Sequence, residues 1–368
     1  MYQDMDKIAR IADEIKSYIY TSMEQIEDIE FRLGEVVDIE LEGNHPEYKP
    51  YLKNTMWGER GEICTFRFQV TVPEQLDGKP VVVLVDSYLY GGANLQNPQY
   101  LVYINGSIKQ GLDINHREIL LSECAKAGTT YEIILEGWPG CLHRKCVLSV
   151  SAGTIRRDIE ELYFNLEVGY ETLMVMDSND SRYAGMTRAM LETINILDLR
   201  NPYSSLFNKS ISEANEFIRA NLYEKFPNDG VCVWAIGHTH IDVAWLWQIR
   251  HTRMKTARSF STVLDYMEQY PQYLFSSSQP QLFKFLKEDY PEVYEKVKAR
   301  VKEGRFEAEG GMWLEADCNL ISGESMVRQL MHGKQFLLSE FGVDSVVLWL
   351  PDVFGYSAAM PQILKKLA

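Results

Sequence analysis

His238, His240 and Asp242 stand two residues apart in Gly237-His238-Thr239-His240-Ile241-Asp242-Val243-Ala244-Trp245-Leu246-Trp247. In extended backbone alternate side chains project to one side, so this spacing can present two imidazoles and a carboxylate together. A donor set of imidazole and carboxylate without thiolate suits a borderline divalent metal, zinc first and manganese, iron or cobalt behind it. The plain alternative is a polar loop satisfied by its own hydrogen bonds. Asp352 follows the apolar run Val346–Pro351 and precedes Phe354-Gly355. A carboxylate ending a buried strand is costly unless a cation or hydrogen bonds compensate it, although Asp is also a common helix N-cap. Trp245 and Trp247 follow the His238–Asp242 loop, and Trp313 and Phe354 fall at neighbouring strand ends. Aromatic faces stack on the C–H faces of sugars, but burial in a core is the commoner fate of any one Trp.

Other chemistries find no support. Cys141-x-His143-x-x-Cys146 has no second pair to complete a zinc site. Cys318 follows Asp317 without a base to activate it, so it reads as a buried thiol. No phosphate-binding P-loop, dinucleotide-binding glycine motif or serine nucleophile elbow occurs.

These residues must be positioned by the surrounding elements. After Gly230, strands at Val231–Gly237, Tyr273–Ser277, Phe306–Gly310 and Ser345–Leu350 alternate with helices at Trp245–Tyr270, Pro280–Glu303, Gly323–Phe341 and from Ala358 onward. Four βα units of this kind imply a parallel α/β sheet of the barrel type, with function at the strand ends. Upstream, Thr65–Val72 alternates with period two, Val81–Val85 is a buried strand, and Tyr100–Ile104 runs into the hairpin signal Asn105-Gly106. With Tyr131–Leu135 and Cys146–Val150 these strands predict a jelly-roll-like β-sandwich. Helical spacing predicts a helix or helix pair over Met5–Gly34, and helices over Arg156–Met176, Ser181–Leu199 and Ser210–Tyr223. The expected domains are a helical segment over residues 1–60, a sandwich over 61–153, a helical linker over 154–228 and the first part of an α/β barrel over 229–368.

Bulk composition bounds the function. The chain of 368 residues has 37 Lys and Arg against 52 Asp and Glu, a formal net charge of −15, and 46% hydrophobic residues. That balance is globular, and the acidity argues against nucleic acid or an anionic membrane surface as partner. Six scattered cysteines, no visible secretory signal and no long apolar window lead to the expectation of a cytoplasmic protein with reduced thiols.

Three separated blocks then resemble the α-mannosidases of glycoside hydrolase family 38. They are His238–Trp245, Gly310–Leu320 running into Ser322-Gly323-Glu324-Ser325, and Trp349–Ser357. The resemblance is to the cytosolic, vacuolar and bacterial branch, and it extends to Val102–Gly106 and Gly111–His116 upstream. It implies one zinc ion held by His240, Asp242 and Asp352, with Asp352 also the nucleophile of a retaining hydrolysis of terminal α-linked mannose. His238 becomes a rim residue, or one that touches a ligand and not the ion. Trp245 and Phe354 become the aromatic wall of the mannose site, and Trp313 and Asp317 substrate-side residues. The resemblance also implies a fourth ligand and a general acid/base further along than Ala368, so the expectation is a truncated chain of weak or no activity on its own. A mannose-containing oligosaccharide is the expected partner, with homo-oligomerisation a plausible response to open strand edges. The alternatives are a metal-dependent carbohydrate deacetylase-like hydrolase and a non-catalytic carbohydrate-binding fragment.

Overall fold

The computed structural model describes residues 2–36, 47–59, 62–89, 98–140, 145–226 and 230–367. Cys141 and His143 lie outside the described residues. Among the described strands are β1 (Tyr20–Gln25), β2 (Glu30–Leu33), β3 (Lys49–Pro50), β4 (Met56–Trp57), β5 (Cys64–Thr71) and β6 (Val81–Leu89). They continue with β7 (Gln99–Ile104), β8 (Ser107–Leu112), β9 (Glu118–Ser122), β10 (Thr130–Trp138) and β11 (Cys146–Ile155). One antiparallel sheet runs β1-β11-β6-β9 with β4 also on β11, and the other runs β3-β2-β5-β10-β7-β8.

The alternation in β5 puts Phe66, Phe68 and Val70 into a core shared with Val83, Val85, Leu148 and Val150 of the opposite sheet. Asn105 and Gly106, at φ 50° and 84°, make the tight turn joining β7 to β8. Both positions need left-handed backbone, which Asn and Gly supply at least cost.

The N-terminal segment departs from the expected helix pair. The helix α1 (Tyr2–Lys16) ends early, and Met23, Ile26 and Ile29 belong to the strand region. The reason is local: Ser22 has φ 53°, and the β1–β11 register shifts between Thr21 and Glu24. A bulge inserts an extra residue, so a period of two reads as spacings of three. The apolar stripe of α1 (Met5, Ile8, Ala12, Ile15) docks against α2 (Arg157–Val175), α3 (Tyr183–Ile196) and α4 (Ser205–Ile218) in one core.

Beyond Gly230 come β12 (Gly237–His238), α5 (Ile249–Gln269), β13 (Phe275–Ser277), α6 (Pro280–Asp289), α7 (Pro291–Lys302), β14 (Phe306–Ala308), α8 (Gly323–Phe341) and α9 (Met360–Leu367). The strands β12-β13-β14 are parallel, and among the described residues a fourth position pairs through a single bridge between Gly310 and Leu348. The expected helix over Pro280–Glu303 is two helices, because Pro291 disfavours helical backbone at Tyr290. The expected strand Val231–Gly237 reduces to its last residue and His238, leaving Val233 84% exposed. Likewise Val346 is 86% exposed where the fourth strand was expected. An apolar run becomes a buried strand only with neighbours on both faces, and among the described residues these runs lack them.

The sandwich and the parallel sheet share a core. Leu101 and Tyr103, on the outer face of β7, pack with Ala257, Phe260 and Leu264 of α5 and with Phe275 and Phe306 beneath it. The edge strand β8 is tied to the same helix, since the Gly111 N–H donates to Thr262 Oγ1 at 2.9 Å.

His251 of α5 stacks on Trp138 at 5.0 Å, and neither ring nitrogen has a hydrogen-bond partner among the described residues. Burial, with Arg250 and Arg258 nearby, pushes its pKa down to about 4 from the usual 6.5. Its folded pKa lies below the unfolded one, so its contribution is complete above pH 6.5 and is lost as pH falls toward 4. That loss amounts to roughly 3 kcal/mol at the bottom of the window. Urea unfolding at pH 7 and pH 4.5 should therefore show a smaller stability loss for His251→Phe than for the unaltered protein. Equal losses would contradict this assignment.

Candidate functional site

Because β12, β13 and β14 are parallel, their carboxyl ends and the segment after Leu348 open toward one side. His240 and Asp242 leave the end of β12 on a loop that is braced from two directions. The side-chain amide of Gln279 donates to Ile241 O at 2.9 Å, and Thr252 Oγ1 donates to Asp242 O at 2.9 Å. Thr252 in turn accepts from Trp247 Nε1 at 2.9 Å. Gln279 holds left-handed backbone at φ 65°, an unfavourable conformation that surrounding structure must impose.

His240, Asp242 and Asp352 offer ligand atoms that all lie within 4.8 Å of one another. His240 Nε2 is 3.3 Å from Asp242 Oδ1 and 3.5 Å from Asp352 Oδ2. On the other edge of the ring, Nδ1 is 2.9 Å from Glu315 Oε2. Glu315 is held through its second oxygen by Ser278 Oγ at 3.0 Å. Its burial raises its pKa, opposed by the neighbouring His240. His240 Nδ1 and Glu315 Oε2 lie within ion-pair range but are not aligned for a hydrogen bond, whereas Nε2 is in hydrogen-bond reach of Asp242 Oδ1. Three carboxylates around one imidazole are relieved by a proton or a cation. The donor chemistry therefore fits a divalent ion.

Glu315 is the residue that sequence reasoning missed. Its only signal there is a carboxylate between the apolar Leu314 and Ala316 at a strand end. Asp317, two residues on, is exposed, and its Oδ1 accepts the Asn319 N–H at 2.8 Å, closing a turn. His238 Nδ1 lies 3.0 Å from Ser276 O, and its Nε2 lies 3.4 Å from Trp349 Nε1. That puts it on the rim beside the cluster, with an indole for neighbour. Trp245 is 61% exposed and edge-on to Trp247, while Phe354 is 90% exposed. They follow Asp242 and Asp352 on the same two loops. The Trp313 indole N–H donates to Gln281 Oε1 at 3.1 Å, and the ring meets Phe336 edge-on at 5.6 Å, so it lines a groove along α8. Cys318 is buried, which raises its thiol pKa. The five described cysteines are unpaired.

Residues 230–368 match the description "Glycosyl hydrolases family 38 N-terminal domain". That segment is a family 38 glycosyl hydrolase N-terminal domain. Two of the following relatives match across more of the chain. "Alpha-mannosidase G" of Dictyostelium discoideum is 33% identical over 87% of this chain and 30% of its own length. "Alpha-mannosidase 2C1" of Mus musculus is 30% identical over 86% of this chain and 31% of its own. "Alpha-mannosidase" of Saccharomyces cerevisiae is 47% identical over 36% of this chain and 12% of its own. The chain thus spans about 30% of the length of the Dictyostelium discoideum and Mus musculus relatives. The family 38 domain contains the whole His240, Asp242 and Asp352 cluster together with Glu315. No helix among the described residues is long and apolar enough to cross a membrane.

The glycine before this loop fixes where Glu315 sits. Gly310 has φ 114°, and a Cβ there would stand 2.7 Å from Ser278 Cβ, on the residue that holds Glu315. Gly310→Ala should therefore cost about 1–3 kcal/mol in urea unfolding, the usual range for overpacking and strain. An unchanged midpoint would mean that the loop yields freely.

Proposed function

We propose that the chain is the nucleophile-bearing part of a zinc-dependent α-mannosidase that removes terminal α-linked mannose from oligosaccharides with retention of configuration. The observation carrying this reading is that His240, Asp242 and Asp352 meet in one cluster inside a family 38 domain. The partial parallel sheet is read as the first strands of the barrel in this proposal.

His240 Nε2 and one oxygen from each of Asp242 and Asp352 would hold the ion, and Glu315 would fix the imidazole that faces it. When bound, zinc would grip adjacent sugar hydroxyls and favour a ring distorted toward the oxocarbenium ion. Asp352 lies at the mouth with its side chain 54% exposed, as a group that must reach substrate requires. Its oxygen would attack the anomeric carbon as the bond to the leaving oxygen breaks, giving a glycosyl ester that water then cleaves. Retaining hydrolysis also needs a second carboxyl as acid/base, and none of the three cluster residues is free for that part. Trp245 and Phe354 supply exposed aromatic faces for the sugar. The names of the relatives favour this reading over a deacetylase-like hydrolase, whose metal would instead activate water.

Two measurements test it. Calorimetric titration with zinc should give one site per chain, weakened at least tenfold in Asp242→Asn and about tenfold in Glu315→Gln, as loss of a ligand-orienting carboxylate generally does. Asp317→Asn should bind as the unaltered protein does. Incubation with an activated fluoro-mannoside should add one glycosyl mass at Asp352 and none in Asp352→Asn. Zinc binding without that label would leave the metal site standing and remove Asp352 as nucleophile.

A further inference from the structure

Gln279 breaks several local preferences at once. It holds φ 65° and ψ 83°, left-handed backbone that a residue other than glycine adopts only at a cost. It also precedes Pro280, and the residue before a proline is pushed by sterics toward extended backbone. It stands at the N-cap of α6, yet its side chain makes no hydrogen bond to that helix. Capping is what a polar side chain at this position ordinarily contributes. The residue is 3% exposed, so its amide is also removed from water. Departures of this kind, gathered at one buried residue, require a reason outside α6.

The side-chain contact supplies that reason. Ladder pairing between β12 and β13 ends with Gly237 on Phe275 and His238 on Ser276. Further along both strand ends, Gln279 Nε2 donates to Ile241 O at 2.9 Å, carrying the link past the last backbone pair. Ile241 is fully buried, and a carbonyl there needs a partner that water does not provide. It is also the residue between His240 and Asp242. Ser278, beside Gln279, donates to Glu315 at 3.0 Å, and Glu315 lies against the opposite edge of the His240 ring. The end of β13 therefore reaches His240 twice, through the backbone that follows it and through the carboxylate behind it.

We infer that Gln279 is a positioning residue for the metal site. Its left-handed backbone brings the amide onto Ile241 O, and that hydrogen bond sets where His240 and Asp242 stand relative to Asp352. This role rests on the reading of His240, Asp242 and Asp352 as metal ligands. Asn is the replacement that separates it from a role in folding. Asn tolerates left-handed backbone and caps helices well, but its amide is one methylene too short to hold Ile241 O from the same backbone.

Three measurements on the 368-residue chain test this role: calorimetric titration of the metal-free protein with zinc, the visible absorption of the cobalt(II)-loaded form, and the melting temperature without metal. The unaltered chain should bind one zinc ion. Gln279→Asn should melt no lower than the unaltered chain without metal, yet bind zinc about tenfold more weakly or worse and show an altered cobalt spectrum. Gln279→Gly, which fits the backbone without any amide, should weaken zinc binding in the same way. Gln335→Asn, the same exchange at an exposed position of α8, should match the unaltered chain throughout. Equal zinc affinity or an unchanged cobalt spectrum in the folded Gln279 variants overturns the role and leaves the metal site standing. A metal-free melting temperature well below that of the unaltered chain in both variants, or loss of their folded circular dichroism, makes Gln279 a residue of folding and overturns it too. Absence of zinc binding by the unaltered chain removes the metal reading itself, and this role with it.

Discussion

The parallel-sheet half of the molecule is organised around one imidazole that faces carboxylates on both edges. His240 has Asp242 and Asp352 against Nε2 and Glu315 against Nδ1. Like charges at this separation repel in a partly dry setting, so the arrangement persists only if the backbone elements behind it are stiff or a cation sits among them. Both conditions shape the surroundings. The three acids reach the ring from three different strand ends, and no single loop could relax to separate them. Glu315 is anchored by Ser278, the Asp242 loop by Thr252 and Gln279, and the bend after Leu350 by the Tyr356 hydroxyl on Leu350 O at 3.0 Å.

That stiffness is borrowed from packing further out. The helix α5 carries Thr252 at one end of its buried face and, along the rest, Ala257, Phe260 and Leu264 against both β7 and the parallel strands. The sandwich is therefore structurally continuous with the site, although its own core is separate. Burial of several aromatic side chains at this junction (Phe260, Phe275, Phe283 and Phe306 meet in five ring pairs at 5.2–6.4 Å) supplies a rigid, close-packed floor.

What could be read from sequence followed how local the physics is. The alternation in β5 and the Asn105-Gly106 turn are set by neighbours along the chain, and both were legible. So was α8, which starts at the Ser322 N-cap and stops at Gly342 in left-handed backbone. The segment Tyr20–Leu33 was misread because a bulge at Ser22 displaces the pattern, and Val231–Ile236 because its burial depends on partners that sequence does not show. At the site, His240 and Asp242 were legible as a spaced pair, and Asp352 as a charge closing an apolar run. Glu315 carries no spacing signal. Its meaning comes only from Ser278, 37 residues away, turning it toward the imidazole.

The grip of β8 on α5 has a mechanical consequence. The Gly111–Thr262 hydrogen bond and the Thr252–Asp242 hydrogen bond lie on one continuous helix, ten residues apart, so that helix acts as a beam with a clamp near each end. Twisting or lifting the β-rich module would load the beam and shift the carbonyl it supports. Removing that module should slacken the acidic pocket while every helix in the remaining piece stays formed.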